Sequence, residues 1–299
     1  MEMEFDLHCH SRMSDGSCEP EEVVRQAARA GLSGIALTDH DTTAGIGRAG
    51  RAGKQLGVEV VPGVEVSTID PDSGRKFHLL VYAPADLSPL EPLLERMRES
   101  RRECGEEMFR RVSQRIPITR EQVSRIGAES GIWFRQHLMQ AAMELGYTPS
   151  IFGELYHELF SRGGGCLVPP RYSSLEEALP AARRTGGVLV AAHPGVYRSI
   201  ALTERLAREG WIDGLEFDYP RRKDEEIPEL TRIAEKYGLI RTAGTDFHGY
   251  YTPRPHPIGS CRAGEETVGR ILALSAERKE TKDGILLQNE GDLFDRDPD

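Results

Sequence analysis

An α/β fold built on a parallel sheet or barrel, interrupted once by a helical insert, is the class this sequence predicts. Three observations carry that expectation. Short β-rich runs alternate with amphipathic helical patterns through most of the chain. The alternation stops between Ser88 and Gly165. The strand-like runs also end in histidines and carboxylates where ordinary turns would carry neutral residues.

The strand-like runs are Phe5–His10, Gly34–Thr38, Val58–Val66, Phe77–Ala83, Gly187–Ala192, Gly214–Tyr219 and Ile240–Thr245. Between the first two, Pro20-Glu21-Glu22 opens a helix with proline and carboxylates at its positive end, Val23, Val24, Ala27 and Ala28 line one face, and Gly31 ends it. Leu175–Arg184, Thr203–Arg208, Glu225–Tyr237 and Glu265–Glu280 read as helices in the same way. The segment 88–165 shows only helical patterns, at Leu93–Met108, Arg120–Val123, Phe134–Leu145 and Phe152–Phe160. It returns through Gly163-Gly164-Gly165, a joint that suits a lid. The expected division is therefore a barrel from 1–87 and 166–279, a helical lid over 88–165, and an acidic, loose tail over 280–299.

The chain has 299 residues, with 38 Lys+Arg against 48 Asp+Glu and a net charge of −10. That length allows one large α/β domain carrying an insert. The acidic balance opposes a duplex nucleic-acid partner, because such binding rests on many Lys/Arg contacts to phosphates. No apolar run reaches the length of a membrane span. The acidic start Met1-Glu2-Met3-Glu4 is unlike a signal peptide, so a cytoplasmic protein is expected. Five cysteines (Cys9, Cys18, Cys104, Cys166 and Cys261) form no Cys-x-x-Cys pair, which predicts reduced thiols and no cysteine zinc site.

Strand periodicity places Asp6, His8 and His10 on one face of the first strand and Phe5, Leu7 and Cys9 on the other. Two imidazoles two residues apart can grip one metal, while Cys9 points away. A lone His-x-His pair is equally well read as satisfied core histidines. The rest of the chain decides between the two. Ser14-Asp15-Gly16, Thr38-Asp39-His40-Asp41, Gly63-Val64-Glu65, His78, Ala192-His193-Pro194 and Thr245-Asp246-Phe247-His248-Gly249 all fall at strand ends or in adjoining runs. Such groups converge at one rim of an α/β barrel. Six histidines and several carboxylates crowded there need a cation.

These motifs, in this order, resemble those of the polymerase and histidinol phosphatase (PHP) family of metal-dependent phosphoesterases, and Thr38-Asp39-His40-Asp41-Thr42 resembles its small-molecule branch. The resemblance implies a distorted (β/α)7 barrel with an inserted helical lid and two or three divalent ions, Mn, Fe or Zn. It implies one metal on His8, His10, Glu65 and Asp246, a second on Asp15, His40 and His248, and a third on Glu65, His78 and His193, with Glu65 bridging. It assigns catalysis to Asp15, His40, Glu65, His193, Asp246 and His248, through attack of a metal-bound hydroxide on phosphorus. Asp6 and Asp39 are expected to orient imidazoles.

The substrate expected is a small phosphorylated ribose or nucleotide, as a monoester or a cyclic diester. Its charge calls for further cations, for which Arg135, His137, Arg171, Arg254 and His256 are the candidates. The chain lacks a Walker-type phosphate loop and a Gly-x-Ser-x-Gly elbow, so neither a nucleotide triphosphatase of that class nor a serine hydrolase is expected. Exonuclease action on short single-stranded oligonucleotides, an amidohydrolase-type amide or lactone hydrolysis, and a non-catalytic metal-stabilised module are the alternatives.

Overall fold

The computed structural model describes residues 3–161 and 163–294. Its strands are β1 (Glu4–Cys9), β2 (Gly34–Leu37), β3 (Glu59–Ile69), β4 (Lys76–Tyr82), β5 (Ser173–Ser174), β6 (Val188–Ala191), β7 (Gly214–Asp218), β8 (Ile240–Ala243) and β9 (Ala263–Gly264). They pair in the order β8-β7-β6-β4-β3-β2-β1-β9, with the short β5 beside β3. The ends of β1 and β8 meet where His10 N–H donates to Phe247 O (2.9 Å) and Phe247 N–H donates to His8 O (3.1 Å), so the sheet is a nearly closed barrel. Gly244 makes that seam possible, since a Cβ there would lie 2.3 Å from His8 Cβ.

The sheet is not wholly parallel. β1, β2 and β3 run together, as do β6, β7 and β8, but β4 is antiparallel to both of its neighbours. No helix intervenes between β3 and β4. Asp70 turns the chain back, accepting Gly74 N–H (2.8 Å) on its carbonyl and the Ser73 hydroxyl (2.6 Å) on its carboxylate. The reversal brings the start of β4, with Lys76 and His78, to the rim where the parallel strands end.

Alternation builds the two layers of the core. Leu7, Ala36, Val61, Leu80, Tyr82, Val190 and Ile240 fill the barrel interior. Ile35 and Leu37 face outward onto Val23, Val24 and Ala27 of α1 (Pro20–Arg29) and Ala49 of α2 (Ile46–Leu56). Leu79, Val81, Leu189, Ala191 and Leu215 pack outward into a second outer cluster. That cluster includes residues of α7 (Leu175–Arg184), α8 (Ile200–Arg208) and α9 (Ile227–Tyr237). Truncating a fully buried residue such as Leu80 to alanine would cost about 2–5 kcal/mol.

Strand β1 departs from strict alternation. Asp6 pairs with Ile35 but Cys9 pairs with Leu37, so one extra residue bulges from β1. Phe5 and Leu7 therefore belong to the interior cluster while Cys9 packs in the outer one with Val23, Ile35 and Leu37. Period-two reasoning had grouped these three on one face; the bulge separates them.

The insert carries four helices: α3 (Glu91–Ser113), α4 (Arg120–Ile126), α5 (Arg135–Glu144) and α6 (Glu154–Phe160). Thr119 caps α4 reciprocally with Gln122. α3 is shared between two cores. Its Leu93 and Leu94 pack with the barrel's outer layer, whereas Met108 and Val112 join Val123, Leu138, Met139, Leu159 and Phe160 in a core of the insert itself. Gly164 closes the last turn after α6, where a Cβ would come within 2.4 Å of Glu158 O and Leu159 O, so it serves close packing. The final helix, α10 (Glu265–Phe294), extends through the first part of the region expected to be a loose acidic tail, and residues 295–299 lie outside the described residues. None of the described helices is long and apolar enough to cross a membrane.

Candidate metal centre

Above the apolar interior, the inward positions of the strands become polar. β3 presents Glu65, β4 presents His78, β7 presents Glu216, and the ends of β1, β2, β6 and β8 deliver His8, His10, His40, His193, Asp246 and His248. Glu65 is the hub. Its Oε2 lies 3.2 Å from His8 Nε2, 3.1 Å from His10 Nε2 and 3.1 Å from His40 Nδ1. Its Oε1 lies 2.7 Å from His78 Nδ1 and 2.9 Å from His193 Nε2. Asp246 Oδ1 is 3.4 Å from His10 Nε2 and 3.7 Å from His8 Nε2. Asp15 Oδ1 is 3.2 Å from His248 Nε2, 3.9 Å from His10 Nδ1 and 4.0 Å from His40 Nε2.

Burial works against the charge of the three carboxyls. The imidazoles around them overcome it and hold Asp15, Glu65 and Asp246 well below the usual carboxylate range. Burial also works against a charged His10, but its bonds to Asp246 and Glu65 push it up to about 10. His40 and His78 are instead driven down, chiefly by burial.

Whether this cluster suits metal ions can be read from its unmet bonding capacity. Among the described residues, ten buried side-chain polar atoms lack a hydrogen-bond partner, and seven of them are here: His8 Nε2, both ring nitrogens of His10, Asp15 Oδ1, His40 Nδ1, Glu65 Oε2 and His193 Nδ1. Orphaned atoms so concentrated would be costly without a cation. Three sets hold ligand atoms within 4.8 Å of one another: His8, His10, Glu65 and Asp246; His10, Asp15, His40 and His248; and His40, Glu65 and His78. Mixed imidazole and carboxylate donors fit divalent transition metals.

Hydrogen bonds and backbone strain position these groups. Glu216 Oε1 holds His8 Nδ1 at 2.9 Å and its Oε2 accepts His193 N–H at 2.7 Å. His193 (φ 28°) and Asp246 (φ 51°) both adopt left-handed backbone, a conformation disfavoured for residues with a Cβ. Asp6 and Asp39, expected to orient imidazoles, pin loops instead. Asp6 accepts the N–H of Thr245 (2.8 Å) and of Gly259 (2.8 Å) together with the Thr245 hydroxyl, fixing the turn that presents Asp246. Asp39 accepts Ser11 N–H and both Ser11 and Ser14 hydroxyls at 2.6–2.7 Å, fixing the loop that carries Asp15.

A cavity of about 590 Å³ opens above the cluster, between the barrel rim and the insert. Asp15, His40, His78, His193, Asp246 and His248 face it, while His8, His10 and Glu65 lie beneath. Of the candidate substrate residues, Arg135, Arg254 and His256 line this cavity. His137 does not: it is buried inside the insert, where its Nδ1 accepts Phe134 N–H (3.3 Å). Arg171 is directed to the surface, 2.5 Å from Glu103. Its neighbour Tyr172 lines the cavity in its place.

The sequence reading missed four polar residues. Lys76 sits two residues before His78 on the same face of β4, a signal that was available. Glu216 is a carboxylate in an otherwise apolar strand, also a usable signal. Arg101 gave none, because it lies in the arginine- and glutamate-rich pattern of α3. It reaches the cavity and donates to Asp41 (3.0 Å) and to the Ser67 hydroxyl (2.7 Å). Arg221 also lines the cavity and lies 2.5 Å from Asp246 Oδ2.

Comparison with known proteins agrees with this architecture. The chain matches the PHP domain over residues 6–101. It is 35% identical over 253 residues to the phosphoribosyl 1,2-cyclic phosphate 1,2-diphosphodiesterase of Eggerthella lenta, covering 84% of this chain and 96% of that one. It is 30% identical over 254 residues to the 5'-3' exoribonuclease Rnm of Escherichia coli, covering 82% and 85%. A solved structure from Bifidobacterium adolescentis, assigned as a metal-dependent phosphoesterase, superposes with a TM-score of 0.81 at 29% identity, covering 90% and 96%.

Proposed function

This chain belongs to the PHP family and is a metal-dependent phosphoester hydrolase, and from that premise we propose that its substrate is a small phosphorylated ribose or nucleotide, cleaved as a monoester or a cyclic diester. The observation that carries the proposal is the charge of the cavity wall. Lys76, Arg135 and Arg254 line the cavity and have no carboxylate partner among the described residues. Elsewhere on the protein, arginines such as Arg48 and Arg232 are tied to glutamates. A phosphate-bearing ligand would satisfy the free cations. Trp133, Phe152 and Tyr156 on the insert side supply flat apolar surface for a sugar or a base.

In this proposal two or three divalent ions, Mn, Fe or Zn, are held by His8, His10, Asp15, His40, Glu65, His78, His193, Asp246 and His248. Such ions supply Lewis acidity toward phosphate oxygens and a nucleophilic water at neutral pH. The protein's own groups do the rest. Glu216 orients His8, Asp6 and Asp39 fix the loops bearing Asp246 and Asp15, and Arg135 and Arg254 grip the part of the substrate away from the cleaved bond. The barrel over 1–87 and 166–279 carries the chemistry, and the insert over 88–165 selects the substrate and shields it from bulk water. Five free cysteines are in keeping with a reducing, cytoplasmic setting.

Exonuclease action on short single strands is the second reading, favoured by the match to the E. coli exoribonuclease over 82% of this chain. A phosphate-release screen in the presence of Mn decides between them. Its panel comprises nucleoside monophosphates, 3',5'-bisphosphates, ribose cyclic phosphates and short oligonucleotides. Turnover of small ribose phosphates at least about tenfold above that of oligonucleotides, equivalent to about 1.4 kcal/mol in transition-state stabilisation, is the expected result. The reverse order would replace the first reading by the second.

A further inference from the structure

The three buried tyrosines bond their hydroxyls within the protein. Tyr82 OH donates to Leu7 O (2.8 Å), Tyr219 OH accepts Gly195 N–H (2.9 Å), and Tyr251 OH bonds to Gln140. Tyr197, on the loop that follows His193, lines the cavity. Its ring packs 4.8 Å from the His78 ring and 5.5 Å from the His193 ring, centroid to centroid. Its hydroxyl has no hydrogen-bond partner among the described residues. Tyr156 and Tyr172 also turn half-buried phenols to the cavity, but Tyr197 is the one of the three whose ring packs on imidazoles of the metal cluster.

We propose that Tyr197 is a catalytic residue whose hydroxyl donates a hydrogen bond to a non-bridging oxygen of the phosphoryl group under attack. The proposal rests on the phosphoester-hydrolase reading and adds a specific contact to it. Three features favour the phosphoryl group over the remainder of the substrate. The ring lies directly against His78 and His193, which share Glu65 Oε1 at 2.7 and 2.9 Å, so Tyr197 belongs to the floor of the cavity. The candidate cations for the rest of the substrate, Arg135 and Arg254, come from the insert and from the loop after β8. The flanking backbone is also fixed. Val196 N–H bonds to His193 O (2.9 Å) and Ser199 N–H to Pro194 O (2.8 Å), so the tyrosine is held in place before substrate arrives. A neutral donor fixed in this way meets the charge carried by the equatorial oxygens of the phosphoryl group in the transition state, without having to reorganise.

The test is Tyr197→Phe in the metal-loaded full-length protein, which removes one oxygen and keeps the ring on both imidazoles. It is assayed on a ribose or nucleoside phosphate and on p-nitrophenyl phosphate, alongside bound-metal content and Tm. The expected result is a fall in kcat of about 10- to 100-fold on both substrates alike, with metal content and Tm unchanged. Inhibition by inorganic phosphate should weaken in parallel. Unchanged kcat and KM on both substrates overturns the assignment. Loss confined to the nucleotide also overturns it, because the hydroxyl would then be reading the leaving portion. Loss accompanied by loss of metal overturns it in favour of a structural role. Inactivity of the wild-type protein toward every phosphate ester would sink the hydrolase reading itself, an outcome distinct from all of these.

Discussion

Glu216 Oε1 lies 2.9 Å from His8 Nδ1, although the two residues are 208 positions apart. A carboxylate only accepts hydrogen bonds, so a proton sits on Nδ1, and Nε2, which faces Glu65 and Asp246, is the ring atom left to ligate a cation. One buried side chain thereby selects the tautomer of a ring on β1 and, through its other oxygen, anchors the strained backbone of His193.

Glu216→Gln should therefore weaken metal binding by about 10- to 100-fold with little change in fold. The amide can still accept His193 N–H, but its NH2 group would donate to Nδ1 and move the ring proton to the ligand atom. Competition with a fluorescent chelator measures this directly. An affinity equal to wild type would rule out the orienting role.

Glu65→Gln should abolish most activity and strip at least one ion, because a neutral amide cannot offset the five imidazoles that converge on it. Cys9→Ala, behind β1 in the outer core, should keep both metal and turnover. Elemental analysis paired with phosphate release checks the pair of variants; a Cys9→Ala protein that lost its metal would contradict the placement of that strand.

Arg135→Gln should raise KM for a ribose or nucleoside phosphate about tenfold and affect p-nitrophenyl phosphate much less. The guanidinium lines the cavity, stacks over Tyr156 at 5.8 Å and has no carboxylate partner among the described residues. Steady-state kinetics on the two substrates separates this from a folding defect, which would lower both equally.

Asp213 gives a pH-dependent stability term far from the metals. Its burial would raise its carboxyl, but the bonds from Arg278, Leu189 N–H and Arg183 outweigh that and hold it below the usual range. A carboxyl lowered by folding stabilises fully above its unfolded value, about 3.9, and loses that contribution as pH falls through the folded value. Asp213→Asn should therefore cost about 1–3 kcal/mol at pH 7, and the gap to wild type should narrow below about pH 3. Thermal melts across pH 2.5–7, in increments of roughly half a unit, test this; a gap that widens on acidification contradicts the sign.

The barrel strands were legible because their apolar alternation is local, and the histidines at their ends announced a metal rim. The direction of β4 was not. It depends on the six-residue turn, 70–75, between β3 and β4, and the sequence of a strand reads alike in either direction. Asp6 was expected to orient an imidazole, whereas its carboxylate holds Thr245 and Gly259, more than 230 positions away. His137 and Arg171 carried the right chemistry for a phosphate, but the phase of α5 turns His137 into the insert, and Arg171, on the irregular segment before β5, pairs with Glu103 at the surface. Charge alone could not reveal that orientation.

The division of α3 between two cores bears on how this enzyme could be re-engineered. Leu93 and Leu94 are part of the barrel's own outer layer, so a chimera joined at residue 88 would remove packing from the catalytic scaffold together with the insert. A graft joined after Cys104 would leave that layer whole and carry Met108 and Val112 along with the helices they stabilise. For swapping specificity between relatives, the modular boundary therefore runs through the middle of a helix.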